Sequence, residues 1–446
     1  MIPRYTTSEM AEIWSDANRF KVWFDVEIAA CEAWEKAGRL PDGVSQRLKD
    51  RAKAIDWAQL AVRVTEIEEV TRHDVIAFLS ALEEVLGEES RHIHFGMTSS
   101  DVVDSSFAAL LVQAGRQLEC RLAGVFEKMR EQANAHRHTI CLGRTHGQAA
   151  EPTTWGLKLL TYVSELNRNR LRLSQAIDEI AVGKLSGAVG NFGNIDPAIE
   201  EHVMMKMGLK PESISTQIVP RDRHAMFFSA LAVIAGTIER FSVEIRHLMR
   251  TEVGEAFEPF CKGQRGSSAM PHKKNPILTE NLTGLCRLIR NYAGAAFENQ
   301  ALWHERDISH SSVERVIGPD ATIGLDFALQ RMMRVVEGMT VDEKAMRKHL
   351  DATGGLVHSE SVLLALVEKG VLRQEAYGWV QAAAMDARSG SGSFLENLQK
   401  HPEISTRVTP DRLASLFDPE HHLRHADTLF ARVENEISSV SSALGR

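Results

Sequence analysis

The chain contains little cysteine, and the cysteines that it has form no recognisable pattern. Five occur in 446 residues. They lie at positions 31, 120, 141, 261 and 286, and none belongs to a CxxC pair. Neither a disulfide framework nor a cysteine-based zinc site is therefore expected. This usage is typical of a protein from a reducing compartment.

Long apolar runs and an excess of basic charge are also missing. The richest apolar run, 225–236, contains Ser229 and is shorter than the ~18 residues of a membrane span. The first residues, MIPRYTTSEM, lack the basic and apolar regions of a signal peptide. The formal net charge of -8 argues against nucleic acid or an anionic membrane as the main partner. We expect a cytoplasmic protein, and small anionic ligands stay possible because they depend on local arginines.

Proline is absent between Pro41 and Pro152 and again between Pro319 and Pro402. Such tracts, rich in Ala, Leu, Glu and Arg, favour helices. Apolar residues recur every three or four positions in 101–138 and in 221–257, and further long helices are predicted over 152–182 and 276–302. In the second stripe they are Leu231, Ile234, Ile238, Phe241, Ile245 and Leu248. We predict an all-α fold with a long-helix bundle completed by other subunits, and a monomeric bundle is the alternative.

Polar or glycine-rich segments interrupt these helices, and functional groups favour such positions. The segments are 92–101, 141–154, 183–197 and 263–276. The last reads GQRGSSAMPHKKNP, in which Gly263 and Gly266 give the backbone unusual freedom. Asn275 and Pro276 are a capping residue and a first helical residue, so the segment is predicted to lead into a helix N-terminus that attracts anions.

Ser267, Ser268 and Lys273 lie within this segment. A serine hydroxyl is a poor base unless its alkoxide is stabilised, and a lysine with backbone amides and a helix dipole can provide that. An ordinary surface loop is the alternative. The segment contains no GxxxxGK[ST] phosphate loop.

Histidines in two other motifs are candidates for proton transfer. His146 lies in RTHGQ, where a structural histidine is an equally good interpretation. His73 lies between Arg72 and Asp74 in TRHDV, which could line a cleft or simply cap a helix. In the third motif, GMTSSD, Thr98 and Ser99 could meet a ligand near a helix start, although Ser99, Ser100 or Asp101 could equally be its cap.

Several further side chains match the geometry of carboxylate or phosphate ligands. They are Arg4, Tyr5, Arg306, Ser312 and Arg315. Each arginine taken alone is more often a surface charge. Histidine pairs such as His92 and His94 do not have metal-ligand spacing, and no HExxH is present, so we predict no metal.

These motifs together resemble the adenylosuccinate lyase family of the fumarase/aspartase superfamily. The superfamily signature GSSxMPxKxNP is matched by GSSAMPHKKNP, and TRHDV, GMTSSDVVD, GRTHGQ with AEPTT, and PRYT match this branch in order and spacing. Lys274 stands where arginine is common, which retains the charge. The resemblance implies a three-domain, all-α fold of the fumarase/aspartase type: an N-terminal helical domain over 1–98, a central bundle over 99–347 and a C-terminal helical domain over 348–446.

The resemblance also implies an activity that needs no cofactor. Family members form homotetramers whose active sites draw on three subunits. They cleave adenylosuccinate to AMP and fumarate, and the ribotide SAICAR to AICAR and fumarate, by β-elimination. Ser267 would be the general base and His146 the general acid, while Ser268, Lys273 and Asn275 would hold the carboxylates and the developing carbanion.

The remaining implied residues bind the ribotide or support the catalytic pair. The binding residues are Arg4, Tyr5, Arg72, His73, Asp74, Thr98, Ser99, Gln217, Arg306, Ser312 and Arg315. Supporting roles fall to His94 and to Glu280, which would orient His146. The alternatives are another fumarate-releasing lyase of the argininosuccinate lyase or cycloisomerase type, and a catalytically silent structural homologue.

Overall fold

The computed structural model describes residues 1–261, 263–264, 267 and 269–445. It is mostly helical, as predicted. The N-terminal region begins with a 3₁₀ turn, Pro3–Tyr5, and ends with another, Gly87–His92. The helices between them are α1 (Ser8–Ile13), α2 (Asp16–Lys36), α3 (Val44–Ala52), α4 (Trp57–Thr71) and α5 (Asp74–Leu86).

Long helices follow. In chain order, with one shorter helix among them, they are α6 (Ser99–Ala135), α7 (Trp155–Ile180), α8 (Pro197–Met207), α9 (Asp222–Leu248), α10 (Ile277–Glu298) and α11 (Ser309–Gly338). The apolar stripe predicted on α9 is buried throughout, from Leu231 to Leu248. The stripe on α6 is buried from Leu110 to Met129. Spacings of three and four therefore identified the buried faces correctly.

The C-terminal region is built from shorter helices around a 3₁₀ turn, Leu356–His358. They are α12 (Glu343–Asp351), α13 (Ser359–Glu368), α14 (Arg373–Arg388), α15 (Phe394–Lys400), α16 (Pro402–Ser405), α17 (Pro410–Ser415), α18 (Glu420–Leu423) and α19 (Ala426–Ala443). Strands occur only as short pairs in the described residues: β1 (Ile140–Thr145) with β2 (Gln148–Thr154), β3 (Val182–Gly183) with β4 (Lys210–Pro211), and β5 (Ala256–Phe257) with β6 (Thr340–Val341).

The chain divides into two compact units. The first comprises Met1–Gly124, Asn169–Glu239 and Asn281–Arg331, and the second comprises Val125–Arg168, Arg240–Glu280 and Met332–Arg446. A core in the first unit is aromatic: Phe20 stacks on Phe78 with ring centroids 5.6 Å apart, and Trp23 meets both rings edge-on. Each such buried ring contributes about 1.5–3 kcal/mol to folding. The second unit has a core of its own, which includes Val362, Leu366, Phe394 and Leu398.

Helix α9 is long and apolar enough to cross a membrane, with a mean hydropathy of 1.5 over its richest window. Core helices pass the same test, and 56% of this window is buried inside the protein. The helix also begins with Asp222 and Arg223 and carries Glu239 and Arg240 on its surface. These features identify α9 as a core helix.

One interruption between the predicted helices, 141–154, is a β-hairpin that the sequence did not indicate. β1 and β2 pair antiparallel from Ile140 with Thr154 to Thr145 with Gln148. Two predicted helix starts also move: α7 begins at Trp155 rather than at Pro152, and α10 begins at Ile277 rather than at Pro276.

Candidate functional site

His146 lies at the tip of the β1–β2 hairpin. Thr145 pairs with Gln148, so His146 and Gly147 form the two-residue turn, and their φ angles are 54° and 74°. Positive φ at both positions is the signature of a type I′ turn, which suits the right-handed twist of the strands. Gly147 adopts this conformation without cost, and His146 is held in it with its imidazole exposed. The turn presents a histidine to solvent on a short, well-defined support.

Glu255 contacts this hairpin through Arg144, which lies two residues before His146. The side chain of Glu255 is 1% exposed, and its Oε1 lies 2.7 Å from Nδ1 of His349 on α12. Arg144 of β1 donates to both carboxylate oxygens. Burial by itself raises the pKa of Glu255, but Arg144 and His349 outweigh burial and lower it. Glu255 is therefore an anion that ties the strand leading to His146 to a neighbouring helix.

The serine segment is described only in part. Ser268 and Gly266 lie outside the described residues, so the predicted role of Ser268 stays a prediction. The hydroxyl oxygen of Ser267 accepts hydrogen bonds from the backbone N–H groups of Ala269 and Met270, at 3.2 and 3.1 Å. Ser267 is half-buried, and Lys273 is exposed. Two amides therefore already point at the Ser267 oxygen, an arrangement that stabilises negative charge on it.

The helix after this segment is capped by a residue far from the predicted cap. Glu258 accepts hydrogen bonds from the N–H groups of Leu278 and Thr279 at 2.9 and 3.0 Å, and from the Thr279 hydroxyl at 3.0 Å. The first-turn amides of α10 thus already bind a carboxylate. The sequence predicted that the helix N-terminus after Asn275 and Pro276 would bind an anion from outside the protein. For the amides of Leu278 and Thr279 this was wrong, because Glu258 already occupies them.

His73 and Asp74 form the start of α5. Nδ1 of His73 accepts from the N–H of Ile76 at 3.4 Å, so His73 is the N-cap, as the simpler interpretation had it. Asp74 forms an ion pair with Arg315 of α11. Arg72 ends α4 with a φ of 53° and is exposed. Two predicted ligand-binding residues, Asp74 and Arg315, are therefore in direct contact within one chain.

Thr98 and Ser99 lie at the start of α6, which begins at Ser99. The buried Asp101 carboxylate accepts from the N–H of Thr98 at 2.8 Å, so it is Asp101, among the proposed caps, that reaches back to the helix start. The same carboxylate lies 2.6 Å from the ammonium of Lys184, and both side chains are 0% exposed. A buried ion pair of this kind holds the GMTSSD motif in one conformation.

Arg306 contacts Gln217, another predicted binding residue. Its Nη1 donates to Oε1 of Gln217 at 3.0 Å, while its Nε is buried without a hydrogen-bond partner among the described residues. Asp307 shapes the loop by accepting from the N–H groups of Trp303 and Ser309. Arg306 and Arg315 line a cavity of about 260 Å³ whose walls also include Arg19, Trp23, Ser100 and Glu314. A guanidinium with an unused donor beside such a cavity fits an anionic ligand.

The other predicted residues are placed as follows. Arg4 is exposed in the first 3₁₀ turn, while the Tyr5 hydroxyl accepts from Asn281 at 3.3 Å and its ring packs on Phe327. Ser312 donates to the backbone of Ser309 on its own helix. Glu280 is exposed, and no hydrogen bond joins it to His146 in the described part of the chain.

His94 pairs with a carboxylate that the sequence did not indicate. The ring Nδ1 of His94 lies 2.7 Å from Oε1 of Glu27, whose side chain is fully buried. The backbone N–H of His94 donates to the other carboxylate oxygen at 2.8 Å. Burial works to lower the pKa of His94, but the hydrogen bond with Glu27 and the charges of Glu27 and Asp101 raise it. The described residues contain no group of three or more His, Cys, Asp or Glu side chains placed to hold a metal ion.

The sequence matches the Lyase family over residues 4–290. This match, the helical fold and the serine signature define a lyase of the fumarase/aspartase superfamily. A second match, to the family described as adenylosuccinate lyase C-terminus, covers residues 355–433. Adenylosuccinate lyase of Thermotoga maritima is 49% identical over 98% of this chain and 100% of its own length. The chain belongs to the adenylosuccinate lyase family, whose members are C–N lyases.

Other relatives agree with this assignment. Adenylosuccinate lyase of Bacillus subtilis is 48% identical over 97% of this chain and 99% of its own length. Among solved structures, 3-carboxy-cis,cis-muconate lactonizing enzyme from Pseudomonas putida superposes with a TM-score of 0.87, at 29% identity over 98% of each chain. This lactonizing enzyme thus shares the fold at a lower identity than the two adenylosuccinate lyases do.

Proposed function

We propose that this chain cleaves adenylosuccinate to AMP and fumarate, and SAICAR to AICAR and fumarate, in the cytoplasm. The observation that carries the proposal is the complete serine signature in a chain that matches two adenylosuccinate lyases over nearly its whole length. Arg306 and Arg315 line one cavity, and the Nε of Arg306, unpaired among the described residues, supports an anionic ligand such as a ribotide there. A cycloisomerase activity or a silent role is less well supported.

The proposed chemistry is a β-elimination. Ser267, as its alkoxide, removes a proton from the succinyl carbon next to a carboxylate. The electron pair of that C–H bond forms the carbon–carbon double bond of fumarate as the C–N bond breaks. His146 donates a proton to the departing nitrogen of the purine. The two amides bonded to the Ser267 oxygen favour its anionic form.

Charge develops on the succinyl carboxylate as the proton leaves, and cations and amide donors are required to stabilise it. Lys273, Asn275 and Ser268 are proposed for this role, on their positions in the signature. Arg4, Tyr5, Arg72, His73, Asp74, Thr98, Ser99, Gln217, Arg306, Ser312 and Arg315 are proposed to bind the rest of the ribotide. His94 and Glu280 are proposed as supporting residues.

We propose further that the chain is a homotetramer with active sites shared between subunits, each chain having the three domains 1–98, 99–347 and 348–446. Large apolar side chains on the surfaces of α9 and α10 support an assembly. Those at least 42% exposed are Met226, Val233, Ile277, Leu288 and Phe297. Exposed apolar side chains that lie together on long helices are typical of surfaces that other subunits cover.

The activity is tested with a spectrophotometric assay of adenylosuccinate cleavage by the purified chain, with argininosuccinate as the counter-substrate. The proposal requires turnover of the first and not of the second. Ser267→Ala should lower kcat by roughly 10²–10⁴-fold, the usual contribution of a general base. Undiminished turnover in that variant would remove Ser267 from its role, and an inactive wild type would favour a silent protein.

Sharing of the active site is tested by mixing two inactive variants, Ser267→Ala and His146→Asn. If the two residues of one site come from different subunits, mixed assemblies contain some sites with both wild-type residues, and activity returns. If both come from one chain, mixing restores nothing. Sedimentation of the wild type in the same buffer gives the number of subunits.

A further inference from the structure

A single buried guanidinium joins elements that carry predicted binding residues. The side chain of Arg221, just before α9, is 1% exposed. Its Nη1 and Nη2 donate to the two oxygens of Asp104 at 2.7 and 2.8 Å. Its Nε and Nη2 donate to the two oxygens of Glu314 at 2.8 and 3.0 Å. Nη1 also donates to the carbonyl of Val219 at 2.8 Å. One side chain thus makes two bidentate ion pairs, a geometry that arginine alone supports.

Each carboxylate belongs to a helix with predicted ligand contacts. Asp104 lies on α6, one turn after the residues Thr98 and Ser99 that begin this helix. Glu314 lies on α11 immediately before Arg315, and it lines the same cavity as Arg306 and Arg315. Because Arg221 bonds both carboxylates at once, it fixes the distance between the second turns of α6 and α11.

The third element is the stretch that leads into α9. Oδ2 of Asp104 also accepts from the N–H of Val219 at 2.8 Å, so this stretch is held at Val219 and at Arg221. Gln217, two residues earlier, accepts from Nη1 of Arg306 at 3.0 Å. The orientation of Arg306 therefore depends on a backbone segment whose position Asp104 and Arg221 determine.

Asp104 and Arg221 are charged at neutral pH. Burial raises the pKa of Glu314, and the charge and hydrogen bonds of Arg221 oppose that rise. Burial by itself raises the pKa of Asp104, but the charge and hydrogen bonds of Arg221 outweigh burial and lower it to about 2. A buried charge that loses its partner strongly destabilises a protein, so the paired arrangement of Arg221 is strongly favoured over an unpaired one. The three elements are consequently held in one relative placement before any ligand arrives.

We infer that Arg221 is a positioning residue for substrate binding, which sets the affinity for the ribotide by holding the Gln217–Arg306 pair, the first turn of α6 and Arg315 in register. The inference rests on the proposed function, because the ligand is taken to be a purine ribotide. Arg221 does not line the cavity of Arg306 and Arg315, and it is not part of the proposed acid–base pair. Its removal should therefore weaken binding much more than it slows the chemical step.

The test compares Arg221→Lys with the matched control Arg223→Lys. Arg223 lies two residues further on, forms ion pairs with Glu212 and Glu179, and contacts none of the predicted binding residues. In the Arg221→Lys variant the side chain can reach one of the two carboxylates but cannot bridge both. We expect the KM for adenylosuccinate and the Kd for AMP to rise roughly tenfold or more, which corresponds to a loss of about 1.4 kcal/mol of binding free energy. We expect kcat to change by less than about threefold, as when the binding that is lost is the same in the ground state and the transition state. Arg223→Lys should leave KM and Kd unchanged.

Glu314→Gln covers the case in which Arg221→Lys does not fold. It keeps the shape of the side chain and the Asp104 pair, and it should raise KM and the AMP Kd in the same direction by a smaller factor. Unchanged KM and AMP Kd in a folded Arg221→Lys, or in Glu314→Gln if the first variant is unfolded, overturn the inference. So does a loss confined to kcat.

The two proposals fail in different ways. A wild-type chain that binds AMP but does not cleave adenylosuccinate refutes the proposed function, and the AMP titrations still decide the role of Arg221. A wild-type chain that does not bind AMP overturns the inference on Arg221 directly.

Discussion

Arg144 and Glu255 form a two-pronged ion pair, with Nη2 and Nη1 of the arginine 2.6 and 2.9 Å from the two carboxylate oxygens. The arginine lies in the strand that leads to His146, and the carboxylate is almost fully buried. The position of His146 therefore depends on an electrostatic contact two residues before it in the chain.

Replacing Glu255 by glutamine should loosen this hairpin. The Glu255→Gln change keeps the size of the side chain but removes the charge that Arg144 and His349 share. We expect the free energy of unfolding to fall by about 1–3 kcal/mol, the usual value of charge-assisted hydrogen bonds. We also expect kcat to fall while KM changes little, because proton donation by His146 requires a fixed imidazole. Thermal unfolding and steady-state kinetics measure both.

A matched control lies on α12. Asp351 pairs with Arg347 one turn away, and both side chains are more than half exposed. Asp351→Asn should change neither the melting temperature nor the kinetics, because exposed pairs of this kind contribute little. If Glu255→Gln behaves like Asp351→Asn, the Glu255 contact does not position His146.

His146 can be removed without disturbing its turn. Asparagine tolerates positive φ and is favoured in type I′ turns, so His146→Asn should retain the hairpin and the melting temperature. The variant lacks the proton donor, and we expect kcat for adenylosuccinate to fall by roughly 10²–10⁴-fold. A variant with full activity would show that another group protonates the leaving nitrogen.

Gly147→Ala provides the complementary measurement. The residue has a φ of 74°, and no atom lies within 4 Å of the position of an added Cβ. The expected cost is therefore conformational alone, about 1–2 kcal/mol. Lower activity with His146 intact would show that the turn geometry matters as well as the imidazole.

Lys184→Met should strongly destabilise the protein. Asp101 and Lys184 are both fully buried, so the variant leaves a carboxylate without its cation, although the N–H groups of Ser186 and Gly187 still donate to it at 3.1 and 3.2 Å. We expect a loss of about 3 kcal/mol, at the lower end for a broken buried pair. Denaturant unfolding measures it.

The double variant Lys184→Met with Asp101→Asn distinguishes a charge effect from a packing effect. Neutralising the carboxylate should restore part of the lost stability, giving a favourable coupling energy in the double-mutant cycle. Losses that simply add would contradict the ion pair as the cause.

Stability should decrease in acid because of His224. Burial, and secondarily the charge of Arg221, lowers the pKa of His224 to about 3. In the unfolded chain its pKa is near 6.5. Since the folded pKa is the lower one, the contribution is complete above pH 6.5 and is lost as the pH falls toward 3. By pH 5 the loss in the free energy of unfolding amounts to about 2 kcal/mol.

His224→Phe tests this assignment. The imidazole stacks on Phe107 with centroids 5.7 Å apart, and a phenyl ring keeps that contact. We expect the slope of the unfolding free energy against pH to become shallower between pH 6.5 and 4. The slope that remains includes His310, whose pKa burial lowers to about 4. An unchanged slope would mean that His224 is not neutral in the folded protein.

Patterns local in the sequence predicted much of this protein. Spacings of three and four located the buried face of α9, and His73 was recognised as a possible helix cap. The TRHDV motif singled out Asp74, and residue type singled out Arg306 and Arg315. Gln217 was implied by the family resemblance, and the structure joins these four residues in two pairs.

Contacts between distant segments were not predictable from such patterns. Glu258 caps a helix that starts nearly twenty residues later, and Glu27 meets His94 from another helix. The ligands of Arg221 lie on two further helices. The β1–β2 hairpin was missed for a different reason, because its strands carry no clear alternation of apolar and polar residues.

Glu258 has a consequence for the segment that carries Ser267. The chain leaves this glutamate and returns to it at Leu278, so three hydrogen bonds close a loop of about twenty residues at its base. Bringing together the ends of such a loop costs roughly 2–3 kcal/mol in chain entropy. This entropic cost is part of the free energy of folding and is not added to the free energy of ligand binding. The two ends of the segment that carries Ser267 are therefore held together before any substrate arrives, and substrate binding does not include the entropic cost of closing this loop.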